Sequence, residues 1–413
     1  MNPFKVYLYF GASTLIKAAS GLVIIKLLAL NLGPEQFGLL GQMFAFVAIV
    51  SMFSGGGVTN GLIRELSANL DIETRKRKIG AAVRISVAVS GVVSFFLIFS
   101  SKYLATEILQ RPDLYWAFLL LAVSHWFVGF NNLSQALFSS FHDVNSLVAT
   151  NIVGALAGLL LFSILLLKFE FVGALTGAVC LPAISGLVAF FVWKYRAPSG
   201  FDKIAWQGSW EDINQLLSYS FVMLVAVVAV PLSQMVVRDN MGTEYGWATV
   251  GYWQGILKIS DVYMQFLGVL LANYFLPRVS ADIHYMGVVK ELKKFLFPLW
   301  GFFFLAFLSV YLIRDELIIL LFSTDFLPMR DYFFPQMLGD FFRVATSCFV
   351  YIALAKGEKI LPIGAEIFQG LGIVFFSYSL SSVFHHHSPV YANVVTYGLL
   401  LIALFCFFVK SKK

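Results

Sequence analysis

With 59% hydrophobic and only 13% charged residues, this chain of 413 residues is not a soluble globular domain, which would carry about twice that charge. The mean hydropathy of +0.81 places it among polytopic membrane proteins, and the net charge of +6 makes it basic. Cys180, Cys348 and Cys406 all lie in apolar stretches, so neither a disulfide framework nor a metal cluster is indicated.

Windows of about 20 apolar residues predict twelve spans, in chain order 7–30, 36–60, 79–100, 114–138, 146–167, 171–193, 217–237, 248–275, 294–313, 332–355, 360–380 and 389–409. The first ends at Asn31-Leu-Gly-Pro34 without a small-residue cleavage site, so it is expected to be a true span and not a cleaved signal. The longest connection runs from Lys194 to Leu216 and contains Pro198-Ser-Gly200, with Trp206 and Trp210 at interfacial positions. Lysines and arginines outside the spans favour the side of the N-terminus by roughly three to one. Arg75-Lys-Arg-Lys78, Lys290, Lys293, Lys294 and the tail Lys410, Lys412 and Lys413 are among them. Both termini are therefore expected in the cytoplasm.

The segment Phe37–Ala68 aligns on Val250–Ala281, pairing Gly38 with Gly251, Gly55 with Gly268 and Asn60 with Asn273; a similar shift pairs Gly158 with Gly372. The repeat predicts two six-span halves running in the same direction: an N-terminal lobe (1–193), a cytoplasmic linker (194–216) and a C-terminal lobe (217–413). The expected fold is an all-α polytopic membrane protein with two pseudo-symmetric lobes around a central cavity. Gly55-Gly-Gly57, Pro182 and Pro231 interrupt spans; static kinks and hinges both remain open. Gly154-Ala-Leu-Ala-Gly158 is a small-residue pattern for helix packing.

Eight ionisable residues fall inside spans: Lys17, Lys26, Arg84, Lys258, Asp261, Asp340, Arg343 and Glu366. A charge in hydrocarbon costs about 2.5–3.5 kcal/mol on insertion scales, so a chain that keeps several is expected to use them around a water-filled path. Lys17 lies mid-span, with small Ser13 and Gly21 on its face; Lys26 is near the outer end, where snorkelling competes with function. Lys258/Asp261 and Asp340/Arg343 are spaced three apart, so each is either a self-neutralising pair or part of a path. Glu366 has no local partner and is a candidate proton-binding carboxylate. Arg84, close to the cytoplasmic end of its span, reads as a snorkelling residue. Asn60 and Asn273 either line a mouth or bridge helices. A lone His385-His-His387 tract does not supply a metal site, and there is no phosphate-binding Gly-x-x-x-x-Gly-Lys-Ser/Thr loop. An enzyme is disfavoured, no cofactor is expected, and a secondary transporter remains. A multidrug cation exporter would want an acidic cavity, whereas five of these eight residues are basic. A purely structural subunit of a glycan-assembly complex would need no buried charge.

Gly251-Tyr-Trp-Gln-Gly255, Ile259-Ser-Asp-Val-Tyr-Met-Gln-Phe266, Leu312-Ile-Arg-Asp315, Met329-Arg-Asp331 and Leu338-Gly-Asp-Phe-Phe-Arg-Val344 together resemble the Wzx-type polysaccharide flippases of the multidrug/oligosaccharidyl-lipid/polysaccharide exporter superfamily. Ser13-Thr-Leu-Ile-Lys17 and Asn60-Gly61 fit as well. The likeness runs nearly end to end and is nearest to the branch handling common-antigen oligosaccharides. It implies twelve helices around a cationic cavity in a Gram-negative inner membrane. The implied cargo is an undecaprenyl-pyrophosphate-linked oligosaccharide, of common-antigen or O-antigen type, moved to the periplasmic leaflet by alternating access with an ion gradient. The implied cargo-binding set is Lys17, Lys26, Asn60, Asp261, Asp340 and Arg343, with Glu366 as the ion-coupling candidate; Lys258 and Arg84 match nothing in the family pattern. Partners implied are the lipid-linked glycan, the bilayer, and the polymerase and chain-length proteins of the glycan pathway; nucleic acid is not among them.

Overall fold

Without water to bond to, a chain crossing hydrocarbon must satisfy its backbone internally, and a helix does so within one segment. In the computed structural model every long apolar run is helical, and there is no strand among the described residues. The backbone is described at residues 3–66, 71–196, 208–281, 285–358 and 360–410, and side chains at 9–59, 61–66, 71–195, 208–217, 228–281, 288–358 and 360–408. Most of the predicted linker, with Trp206, and the tail beyond Lys410 lie outside these residues.

In chain order the helices are α1 (Pro3–Phe53), α2 (Thr59–Leu66), α3 (Ile72–Phe99), α4 (Ser101–Leu109), α5 (Tyr115–Ser140), α6 (Val144–Arg196) and α7 (Trp210–Tyr245). They continue as α8 (Trp247–Leu270), α9 (Leu276–Ala281), α10 (Tyr285–Leu312), α11 (Arg314–Leu321), α12 (Phe333–Ala355), α13 (Ile360–Phe384) and α14 (Ser388–Lys410). Among the described residues eight stretches are long and apolar enough to cross a bilayer. Three of them, of 45, 52 and 49 residues, exceed one crossing, since about 20 residues suffice. Each carries a left-handed residue near its middle: Gly33 (φ 67°), Glu170 (φ 47°) and His385 (φ 49°).

At Glu170 the chain folds back on itself. A Cβ at Gly173 would lie 1.9 Å from the Leu165 carbonyl oxygen, one at Gly177 2.5 Å from the Phe162 ring, and one at Gly154 2.7 Å from the Ser185 hydroxyl. The two halves of α6 are thus an antiparallel hairpin, close enough that only glycine fits along the seam.

Two compact units emerge. The first comprises Met1–Leu32 with Gln42–Val228, the second Gly33–Gly41 with Ala229–Lys413. In the first, Leu62, Ala81, Ala82, Ala136 and Leu216 are fully buried in one apolar cluster. In the second, Leu271, Phe275, Val279, Val344, Ala345 and Cys348 form the corresponding core. Outward apolar side chains such as Phe99 and Leu160 in the first unit, and Phe302 and Leu320 in the second, stay exposed, as a lipid-facing surface requires.

Two glycines paired by the sequence repeat meet inside the second unit. Gly38 and Gly251 pack against each other, a Cβ on Gly38 falling 2.8 Å from the Gly251 nitrogen. The two repeat segments differ further along. Gly55, Gly56 and Gly57 have φ of 79°, 70° and 64°, so the predicted span 36–60 stops being helical after Phe53. In the second segment a π-helical turn occupies Leu271–Phe275. The structure also holds what periodicity did not predict: α4, a short helix outside the spans, and α7, which runs well beyond both ends of 217–237.

Candidate functional site

The second unit gathers most of the predicted residues. Asp340 on α12 is fully buried, 0% exposed. Its Oδ2 accepts hydrogen bonds from the Ser260 hydroxyl at 2.7 Å, from the Gln336 amide at 3.1 Å and, very closely, from the Tyr263 hydroxyl. Two of the three donors come from α8, so the carboxylate ties α8 to α12. The sequence places them correctly for this. Ser260 and Tyr263 are three apart on one face of α8, and Gln336 sits one turn before Asp340.

Arg343, the next residue on that face of α12, lies over the Tyr397 ring of α14 at 5.6 Å. No ion pair joins it to Asp340 among the described residues, so of the two readings left open the self-neutralising pair is not the one seen. Its field is felt instead by Asp261, Asp340, Glu366 and Tyr397, which arrive from α8, α12, α13 and α14. Four helices thus converge on one guanidinium. On α12 and α14, Asp340 Oδ1, Gln336 Oε1, the Asn393 amide nitrogen and the hydroxyls of Thr396 and Tyr397 are buried without a hydrogen-bond partner among the described residues. Such groups are costly unless they find one.

Lys258 and Asp261 do meet, at 3.5 Å, with side chains 35% and 58% exposed. In so open a setting the pair contributes little stability and leaves both groups available to a ligand. Glu366 is exposed on α13.

A third cation in this unit was not anticipated. Arg238 on α7 is only 3% exposed. Its guanidinium donates to Gln254 Oε1 at 2.7 Å and Gln234 Oε1 at 3.2 Å, and lies 5.5 Å from the Trp253 ring, while Nε and Nη1 have no hydrogen-bond partner among the described residues. Asp261 is within electrostatic range. The hydropathy window ended at residue 237 and put Arg238 outside the membrane. The available signal was its i, i+4 spacing from Gln234 and the Trp-Gln pair in Gly251-Tyr-Trp-Gln-Gly255. Counting it, Arg238, Lys258 and Arg343 on α7, α8 and α12 stand against Asp261, Asp340 and Glu366 on α8, α12 and α13, three of each sign.

The other predicted residues lie in the first unit. Lys17 is exposed on α1 and has no partner among the described residues; Ser13 on its face is buried, and a Cβ on Gly21 would meet nothing within 4 Å. Lys26 is half-buried. The side chain of Asn60 lies outside the described residues. Its repeat mate Asn273 neither bridges helices nor points into a packed interior: it is exposed and donates to the Val269 carbonyl of its own helix at 2.9 Å. Arg84 does more than snorkel, donating to the Gly208 carbonyl at 2.9 Å and so anchoring the approach to α7.

Buried His125 on α5 was also missed. Its two ring nitrogens face the Ser54 and Ser94 hydroxyls at 3.3 and 2.9 Å, and the Trp126 indole donates to Ser94. A lone histidine in an apolar run carries no spacing signal. His386 and His387 stack with each other and on Tyr332, and no group of three metal-ligating side chains occurs among the described residues.

Comparison with known proteins agrees with this architecture. The chain is 27% identical over 409 residues to the lipid III flippase of Escherichia coli (strain K12), a match covering 98% of each chain. Among solved structures it is similar to an inward-facing multidrug resistance MATE family transporter of the MOP superfamily, with a TM-score of 0.80 at 14% identity over 97% of this chain and 94% of that one. It is also similar to the lipid II flippase MurJ in an inward closed conformation, with a TM-score of 0.74 at 14% identity over 98% and 87%. These two likenesses establish the fold. Residues 5–281 match the family described as polysaccharide biosynthesis protein, and the chain belongs to that family.

Proposed function

We propose that this protein is a flippase that moves an undecaprenyl-pyrophosphate-linked oligosaccharide, of common-antigen or O-antigen type, from the cytoplasmic to the periplasmic leaflet of a Gram-negative inner membrane. It works by alternating access of two six-span lobes, 1–193 and 217–413 joined by the linker 194–216, and draws on an ion gradient. Both termini are cytoplasmic. The observation that carries the reading is the match to the lipid III flippase along nearly all of both chains.

The chemistry is consistent. A diphosphate wants fixed cations, and Lys17, Lys26 and Arg343 supply them. Sugars want convergent amides, hydroxyls and carboxylates, and Asn60, Asp261 and Asp340 with their neighbours supply those. Glu366, an exposed carboxylate within the field of Arg343, is the coupling group. The polymerase and chain-length proteins that receive the flipped glycan are the partners.

The three-against-three balance of those six charges favours one competing reading, export of small organic cations. The two separate cleanly. In vesicles holding the purified protein, a polyprenyl-pyrophosphate-linked trisaccharide becomes accessible to an added glycosidase only if it is flipped. Flipping with no gain in cationic-dye resistance in cells supports the flippase; dye export without flipping overturns it.

A further inference from the structure

A cavity of about 890 Å³ runs along the second unit between α8 with its π-helical extension, α10 and α12. Its wall is aromatic and aliphatic, with Tyr263, Phe266, Phe295, Phe302, Phe303 and Phe307 among the lining residues. It is open to the side, since Phe266, Leu270, Tyr274 and Phe302 on its wall stay 41–67% exposed. One end differs in chemistry from the rest: Arg278, Glu291 and Lys294 line it. Arg278 stacks on Tyr274 at 4.1 Å and pairs with Glu291 at 3.8 Å. Lys294 has no partner among the described residues, and Lys290 and Lys293 stand exposed beside it. The mouth is therefore net basic, and on the orientation read from the sequence it is the cytoplasmic end.

We propose that this groove holds the polyprenyl tail of the lipid-linked cargo, with the cargo's phosphate at the Arg278/Lys294 mouth during loading. The proposal deepens the flippase reading and rests on it. Three features point to this occupant and away from a bilayer lipid. First, length: from Ile256 to Arg278 the wall extends about 33 Å at 1.5 Å per residue. That is the full hydrocarbon thickness of about 30 Å, whereas an acyl chain reaches only to the midplane. A polyprenyl chain is long enough to fill it. Second, charge: a cationic mouth on an otherwise apolar groove matches a molecule with one anionic end and one long hydrocarbon end. Third, a shared wall: Tyr263 lines the groove with its ring and donates its hydroxyl to Asp340 in the polar cluster. Tail groove and charged site are two sides of one tyrosine, which suits a cargo that is both lipid and glycan. The π-turn at Leu271–Phe275 belongs to the same design. It widens α8 and sets Tyr274 and Phe275 against Phe295, where π-turns commonly serve function.

The full-length protein, purified in detergent, is mixed with equal amounts of undecaprenyl phosphate and phosphatidylglycerol and read by native mass spectrometry. The wild type is expected to retain the polyprenyl phosphate at least tenfold over the phospholipid. Ala306→Trp, which fills the groove, is expected to lower that retention at least fivefold, while Leu305→Trp on the neighbouring lipid-facing side leaves it unchanged. Lys294→Gln is expected to weaken it. Equal retention of both lipids, or wild-type retention by Ala306→Trp, overturns the proposal. Should Ala306→Trp fail to fold, a benzophenone side chain at Phe302 serves instead: an adduct with undecaprenyl phosphate supports the groove, and its absence overturns it. Vesicle flipping by the wild type keeps the two claims apart. If the protein flips glycan but binds no tail here, the groove assignment alone fails; if it retains the tail but flips nothing, the flippase reading fails.

Discussion

Replacing Asp340 with alanine tests whether its carboxylate is the joint between α8 and α12. The change removes three accepted hydrogen bonds at once, from Ser260, Tyr263 and Gln336. On the scale for bonds between membrane helices, about 0.6 kcal/mol each, the loss is about 2 kcal/mol. On the scale for bonds to an ionised group, about 1.5–3 kcal/mol each, it is about 5–9 kcal/mol. Ser260 and Gln336 are only 1% exposed, so water cannot replace the lost acceptor, which argues for the upper part of the range. Removing a buried charge also relieves its desolvation, which argues for the lower part. The balance is a destabilisation of about 3–5 kcal/mol. At about 2.1 cal/mol/K of unfolding entropy per residue over 413 residues, about 1.2 °C per kcal/mol, that lowers the thermal midpoint in detergent by about 3–6 °C. Asp340→Asn keeps one acceptor oxygen and is expected to lose about half as much. A midpoint for Asp340→Ala within about 2 °C of wild type would refute the reasoning.

Four further outcomes are expected. Lys17→Ala abolishes rescue of a flippase-deficient strain at normal expression while Lys17→Arg retains it; rescue by Lys17→Ala removes Lys17 from the site. Glu366→Gln abolishes the dependence of flipping on an imposed pH gradient, and an unchanged dependence rejects Glu366 as the coupling group. Arg238→Lys keeps the charge but loses the planar fork that reaches Gln234 and Gln254 and the stacking on Trp253. It lowers stability by about 2 kcal/mol, read as a fall in the thermal midpoint, and a wild-type midpoint contradicts it. Near the start of α7, outside the spans, burial alone raises the Asp212 carboxyl. Hydrogen bonds from the Ser209 hydroxyl and amide and the charges of Arg77 and Lys78 outweigh it, so the carboxyl sits below its usual range. Its folded value being lower than its unfolded one, its contribution is complete above about pH 4 and fades as pH falls further. An acid titration of stability in detergent should therefore lose that component in Asp212→Asn, and an identical profile would contradict the assignment.

Much of the architecture was legible because hydrophobic period and span length act at the scale on which a bilayer selects helices. The predicted 332–355 and 389–409 are observed as Phe333–Ala355 and Ser388–Lys410. Gly55-Gly-Gly57 announced its break, since three successive left-handed residues are affordable only with glycine. The turns at Glu170 and His385 could not be found that way, because neither residue type demands positive φ. At the site, Asp340 and Arg343 looked like a pair at i, i+3, yet each is engaged by another helix. Spacing along one helix says which side chains share a face, not which neighbour they choose. Arg238 was lost for a different reason: averaged hydropathy ends a span where polar residues run together, as in Arg238-Asp-Asn240, whether or not one of them is buried. Lys17 was the reverse case, a charge far from any end, and it remains without a partner among the described residues.

The most direct measurement is leaflet exchange of a polyprenyl-pyrophosphate-linked trisaccharide in vesicles containing only this protein. The account predicts glycosidase-accessible cargo that grows with time in wild-type vesicles, accelerates under an imposed ion gradient and disappears in Lys17→Ala. Cargo that stays in its starting leaflet, in vesicles where the same protein moves cationic dyes, would contradict it.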